Sequence, residues 1–101
     1  MPNPNYLAGT RFERERKHHY ESLGMEVTRS SGSHGNWDLI AVDWKHGLTT
    51  CIQCKVVGDL ASARRLLDRF RVNPPRVPQR NIHQCLEVKV KGSKEIHCVT
   101  L

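Results

Sequence analysis

Asp38, Gln53 and Lys55 are the residues whose types and placing suggest chemistry in this chain. Asp38 leads into Leu39-Ile40-Ala41-Val42, while Gln53 and Lys55 belong to Thr49-Thr50-Cys51-Ile52-Gln53-Cys54-Lys55-Val56-Val57. β-Branched and apolar residues dominate both runs, and His46-Gly47 offers a turn between them, so both read as short strands. Side chains alternate along a strand, which sends Gln53 and Lys55 to the same face. If the two strands pair, Asp38 comes near that face. A carboxylate, an amide and an ammonium then converge at one end of a small sheet. Such a set offers oxygen donors to a hard divalent cation and a positive charge to a developing anion.

Further elements are needed to position these groups. Residues 1–8 are polar and proline-punctuated and read as a loose N-terminal arm. A helix is expected from about Thr10 to Leu23, where Thr10-Arg11-Phe12-Glu13 fits a capping box and Gly24 provides the stop. Phe12, Tyr20 and Leu23, with Arg16 or His19 between, recur near helical spacing. Met25 to Arg29 alternates apolar and polar residues, as a half-buried strand does, and Ser30-Ser31-Gly32-Ser33-His34-Gly35-Asn36 reads as a loop. After the central strands, Leu60, Ala63, Leu66, Leu67 and Phe70 form the apolar stripe of a second helix, with Arg64, Arg65 and Arg69 elsewhere around it. Prolines from Pro74 to Pro78 make a connection. Ile82 to Lys91 and Ile96 to Leu101 read as two final strands joined at Gly92-Ser93. The expected order is helix, three strands, helix, two strands.

At 101 residues the chain is a single domain, able to bury roughly 60–65% of its unfolded surface. Its 38% hydrophobic and 26% charged residues are ordinary for a globular protein. No apolar run approaches the roughly 20 residues of a membrane span, and the N-terminus lacks a secretory pattern. A cytoplasmic location is therefore expected. A net charge of +6 suits a polyanionic partner and equally a merely solvated basic surface, and charge alone does not choose between them. Cys51 and Cys54 form a C-x-x-C, for which His83, Cys85, His97 and Cys98 are the candidates to complete a zinc site. Residues three apart on a strand face opposite sides, however, so buried thiols are the preferred reading.

The Ser30 to Gly35 loop offers Ser30, Ser33, His34 and backbone amides as donors to phosphate, with Arg11, Arg14, Arg29 and Lys45 extending a DNA-binding surface. Plainer roles also exist. Glu13 closes the capping box, Asp38 caps a turn, and Lys55 is a surface lysine of an edge strand. Glu15 is an alternative acid to Glu13, but lies about 200° round the helix from it. His18 and His19 sit mid-helix without metal-ligand spacing.

Together, Gly9 and Glu13, Arg29-Ser30 with Gly32-Ser33, Asp38-Leu39-Ile40-Ala41 and Gln53-Cys54-Lys55 resemble the PD-(D/E)XK nuclease superfamily. Within it the chain is most similar to the Holliday junction resolvases of archaea and their viruses, over roughly Gly9 to Val57. The resemblance implies an α/β fold with a restriction-endonuclease-like core, a mixed sheet of about five strands flanked by helices. It implies a homodimer that cuts four-way DNA junctions with Mg²⁺, or with Mn²⁺ in its place, in the host cytoplasm if the source is viral. Glu13, Asp38, Gln53 and the Cys54 backbone carbonyl would hold the metal. Lys55 would position or deprotonate the attacking water, and Ser33 would sit near the scissile phosphate. Resolvases usually carry glutamate where this chain has Gln53, so one anion is missing and weaker metal binding is expected. Related restriction-type nucleases tolerate Gln-x-Lys. The alternatives are a restriction- or repair-type nuclease on duplex or single-stranded DNA, and a non-catalytic DNA-binding module.

Overall fold

The computed structural model describes residues 4–29, 37–75 and 82–101. Its elements are α1 (Pro4–Ser22), β1 (Glu26–Arg29), β2 (Leu39–Asp43), β3 (Leu48–Val57), α2 (Leu60–Val72), β4 (Ile82–Val90) and β5 (Ile96–Thr100). The architecture is α/β, with one five-stranded mixed sheet in the order β1-β2-β3-β4-β5 and two helices. Each neighbouring pair is antiparallel except β3 with β4, which run parallel and are joined through α2. Element order and type agree with the expectation from sequence.

The alternation of side chains divides the core into two layers. Ile52, Cys54 and Val56 of β3 pack with Phe12 of α1 and with Leu39, Ala41 and Cys85. Leu86 and Val88 of β4 pack on the other face with Ala63, Leu67 and Phe70 of α2. The helices thus cover opposite faces of the sheet, and a mixed sheet whose centre is buried on both faces follows.

Two expectations are corrected. α1 begins at Pro4, so residues from Pro4 onward are helical and do not form a loose arm. Proline suits a first helical turn, where no intrahelical acceptor is needed for its missing N–H. Thr10 consequently lies inside α1, and Thr10 to Glu13 is not a capping box. Leu23 falls beyond the helix and is exposed. The inward stripe of α1 instead runs Phe12, Arg16, Tyr20. Arg16 donates two hydrogen bonds of 2.9 Å to the Glu87 carboxylate, and the Tyr20 hydroxyl donates one of 3.0 Å. Glu87, on β4, is only 3% exposed. A buried charge requires such partners, and these tie α1 to the far side of the sheet.

At the other sequence-read boundaries, the hairpin turn is held by Asp43, whose carboxylate accepts from the Lys45 and His46 amides. Gly47 follows at φ 68°, a conformation costly for other residues. Asp59 caps α2 by accepting from the Ser62 amide at 2.7 Å. Among the described residues no helix is long and apolar enough to cross a membrane.

Candidate functional site

β3 is twice as long as β2, and the site lies where they part. Leu48 to Ile52 pair with β2, whose first residue, Leu39, stands opposite Ile52. From Gln53 to Val57, β3 pairs with β4 on one side only among the described strands. Asp38 sits at the corner, just before β2. Its backbone N–H donates to the Ile52 carbonyl, and its carboxylate accepts the Cys54 N–H at 2.8 Å. An acid side chain thereby takes the place of a missing strand. In extended backbone the N–H and C=O of one residue point to the same side. The Cys54 carbonyl is accordingly directed toward Asp38.

Glu13 reaches this corner from α1. Its carboxyl is held above its ordinary value of 4.5, first by burial and then by the negative charge of Asp38 beside it. Arg29 opposes that rise, donating to Glu13 Oε2 at 3.2 Å and 3.4 Å. Two carboxylates 25 residues apart in sequence are therefore neighbours, balanced in part by one guanidinium. The Cys54 thiol, at the centre of the α1 layer, is pushed up by burial and by the carboxylates of Glu87, Asp38 and Glu13. It stays a thiol at neutral pH, so Cys54 contributes its backbone to the site.

Gln53 and Lys55 share a face, as alternation requires, but it is the face away from Glu13 and the Asp38 carboxylate, so the expected convergence of carboxylate, amide and ammonium is corrected: the pair lines a cleft of about 330 Å³ against α2. Leu66, Phe70 and Leu86 form its apolar floor, with Arg69 and Asn73 on the helix side. The structure brings Glu13, Asp38, Arg29 and Cys54 together on one side of the β3 edge, and Gln53 and Lys55 on the other. Arg11 and Arg14 are exposed on α1. Lys45 belongs elsewhere: it lies past the far end of β2, roughly 17 Å of strand from Asp38. Ser30, Ser33 and His34 lie outside the described residues. Glu15 pairs with Lys89 at 3.6 Å, which separates it from Glu13. Cys51 and Cys54 take opposite faces of β3, against a shared zinc.

Comparison of the chain with family models, with curated proteins and with solved structures returned no match. What the site can do thus rests on its own groups. Among the described residues no cluster of three or more His, Cys, Asp and Glu forms a metal site. Two carboxylates and a strand carbonyl nevertheless suit Mg²⁺, which commonly takes one or two carboxylates and keeps several waters. Burial and then repulsion from Asp38 raise the Glu13 carboxyl, and a cation bound between the two acids would oppose both.

Glu87 escaped the reading of the sequence, as did the bond to it from Arg16, and Arg69, expected away from the apolar stripe of α2, lines the cleft with Leu66 and Phe70. Arg69 stands three residues after Leu66 and four before Asn73, within the stripe of α2 that faces the cleft. That spacing was a usable signal. Nothing local points from Arg16 to Glu87, which are 71 residues apart.

Proposed function

We propose that this chain is a metal-dependent endodeoxyribonuclease that resolves four-way (Holliday) DNA junctions as a homodimer. The observation that carries the reading is the meeting of Glu13 and Asp38 beside the edge of β3, where the Cys54 carbonyl and Gln53-x-Lys55 lie within the same few residues. α1, the residue just before β2, and β3 supply one group each to that corner, an arrangement that packing alone does not require.

Glu13, Asp38 and the Cys54 carbonyl would hold Mg²⁺ or Mn²⁺. Such a cation would supply Lewis-acid polarisation of a phosphoryl oxygen and a more acidic water near neutral pH. The exposed Lys55 ammonium, beside Gln53 in the cleft on the other face of β3, supplies positive charge to the substrate phosphates. Arg29 opposes the rise of the Glu13 carboxyl, and with Arg11 and Arg14 adds to the positive surface expected of a protein carrying +6. Ser30, Ser33 and His34 are assigned to the substrate phosphates. A four-way junction has two-fold symmetry and needs two cuts, which a homodimer with two sites provides. Gln53, in place of a third anion, favours a second reading: a module that binds DNA without cutting it.

The test is cleavage of a labelled four-way junction beside its matched linear duplex, with Mg²⁺, Mn²⁺ or EDTA, for wild type and Asp38→Asn. Paired symmetric nicks on the junction, lost with EDTA and in the variant, are expected. Equal cutting of the duplex moves the function to a restriction- or repair-type nuclease. Junction binding without cutting under any metal selects the second reading.

A further inference from the structure

The cleft between β3 and α2 has a composition that the acid corner does not explain. α2 turns an apolar stripe toward the sheet through Ala63, Leu67 and Phe70, all buried, with Leu66 beside them. At the margin of that stripe, where another apolar residue would extend the packing, the chain carries Arg69 and then Asn73. Both face Gln53 and Lys55 across the cleft. None of the cleft's described lining residues is acidic. Arg69 and Lys55 have no ion pair among the described residues, so neither charge is committed to a partner within the chain. Two cations converging on a recess without a counter-charge make a seat for an anion.

The recess is more than a charged patch. Its floor is apolar and aromatic, and its walls carry two side-chain amides, each both donor and acceptor. A volume of about 330 Å³ falls at the small end of ligand pockets. An inorganic anion would use the cations alone. A nucleotide uses everything: phosphate for the cations, an apolar sugar edge and a base face for the floor, and base-edge groups for the amides. The cleft also adjoins the acid corner, because Gln53 occupies the position on β3 beside Asp38.

We infer that this cleft seats one nucleotide of the substrate strand next to the scissile phosphodiester, its phosphate held between Lys55 and Arg69. This rests on the nuclease reading for the word substrate, but not for the binding itself. Arg69 is then a positioning residue for the strand, and takes no part in proton transfer or metal binding.

The experiment is an NMR titration of the full chain in EDTA with thymidine 5′-monophosphate, with thymidine and inorganic phosphate as separate arms. Signals of the Gln53 and Asn73 side-chain amides and of Leu66 and Leu86 should move with the nucleotide, at lower concentration than with either fragment. Arg69→Gln should weaken the effect about tenfold, the low end of a hydrogen bond to a charged group. Arg69→Lys should recover part of it, and Arg71→Gln should leave it unchanged. For a short thymidine oligonucleotide, Arg69→Gln should also lower the salt slope of binding by about 0.7. Inorganic phosphate matching the nucleotide, or shifts confined to other surfaces, overturns the inference. Junction cutting with any metal, together with an inert Arg69→Gln, overturns the seat and spares the nuclease. Nucleotide shifts at the cleft in a chain that never cuts do the reverse.

Discussion

Removing the Glu87 carboxylate alone should cost far more than removing it together with its partner. Glu87→Leu deletes the acceptor for two Arg16 bonds and one Tyr20 bond. The Arg16 side chain is 14% exposed and Glu87 4%, so the guanidinium is left largely out of water with no compensating charge. Breaking a buried pair by losing one partner costs about 3–5 kcal/mol. Because Arg16 retains some solvent contact, the lower figure of about 3 kcal/mol applies. Against a total stability of about 5–15 kcal/mol this is a large fraction. For a domain of this size it corresponds to a fall in Tm of roughly 12–24 °C. Arg16→Met combined with Glu87→Leu removes both charges and keeps similar apolar volume, and should return to within about 1 kcal/mol of wild type. Urea unfolding followed by circular dichroism, with a thermal melt beside it, measures both. A Glu87→Leu cost below about 1 kcal/mol, or a double variant as weak as the single one, would refute the view that an unpaired Arg16 drives the loss.

Three further outcomes concern the acid corner. Saturating Mg²⁺ or Mn²⁺, at about a hundred times the dissociation constant, should stabilise the protein by about 2.7 kcal/mol, and Glu13→Gln or Asp38→Asn should abolish that increment in a thermal melt. The Glu13 carboxyl is raised above 4.5, so its contribution to the stability of the metal-free protein is fully present below 4.5 and declines as pH climbs through the raised value. Metal affinity has the opposite sign, growing over the same window as Glu13 loses its proton. Melts across that range with EDTA and with Mn²⁺ should diverge, and Glu13→Gln should bring the two curves parallel. Gln53→Glu should leave Mn²⁺ binding unchanged by calorimetry, since the side chain at position 53 lines the cleft on the other face of β3. A constant about tenfold tighter would mean that position 53 reaches the metal.

Strand periodicity, turn chemistry and the α2 stripe were legible in the chain because each is a local pattern. Pairing of Asp38 with the Gln53 to Lys55 segment followed from the hairpin read at His46-Gly47. The same hairpin already placed Lys45 at the opposite end, a consequence that geometry dictates and charge counting overlooks. The start of α1 was missed for a different reason. Thr10-x-x-Glu13 imitates a cap, while Pro4 gives the weaker but correct signal, and the two compete on local terms alone. Arg29 shows the limit of reading single residues. Its type suggested phosphate, yet its position at the end of β1 sets it against Glu13. The clamp from Arg16 and Tyr20 to Glu87 was invisible, since acid and base at that separation carry no periodic signature.

The parallel pairing of β3 with β4 has a consequence for the order of events during folding. β1, β2 and β3 form a meander of neighbouring contacts, which closes quickly once its residues are available. All the groups of the acid corner lie at or before Lys55, so a growing chain could hold them long before it is finished. Phe12 seats α1 on Leu39, Ala41, Ile52 and Cys54 without any residue beyond β3, whereas the clamp from Arg16 and Tyr20 needs Glu87, which arrives only after α2 has crossed over and β4 has found its nine-residue register beside β3. A partly made chain thus carries the residues of the site on a helix held at one end, and the distant contact completes its fixing.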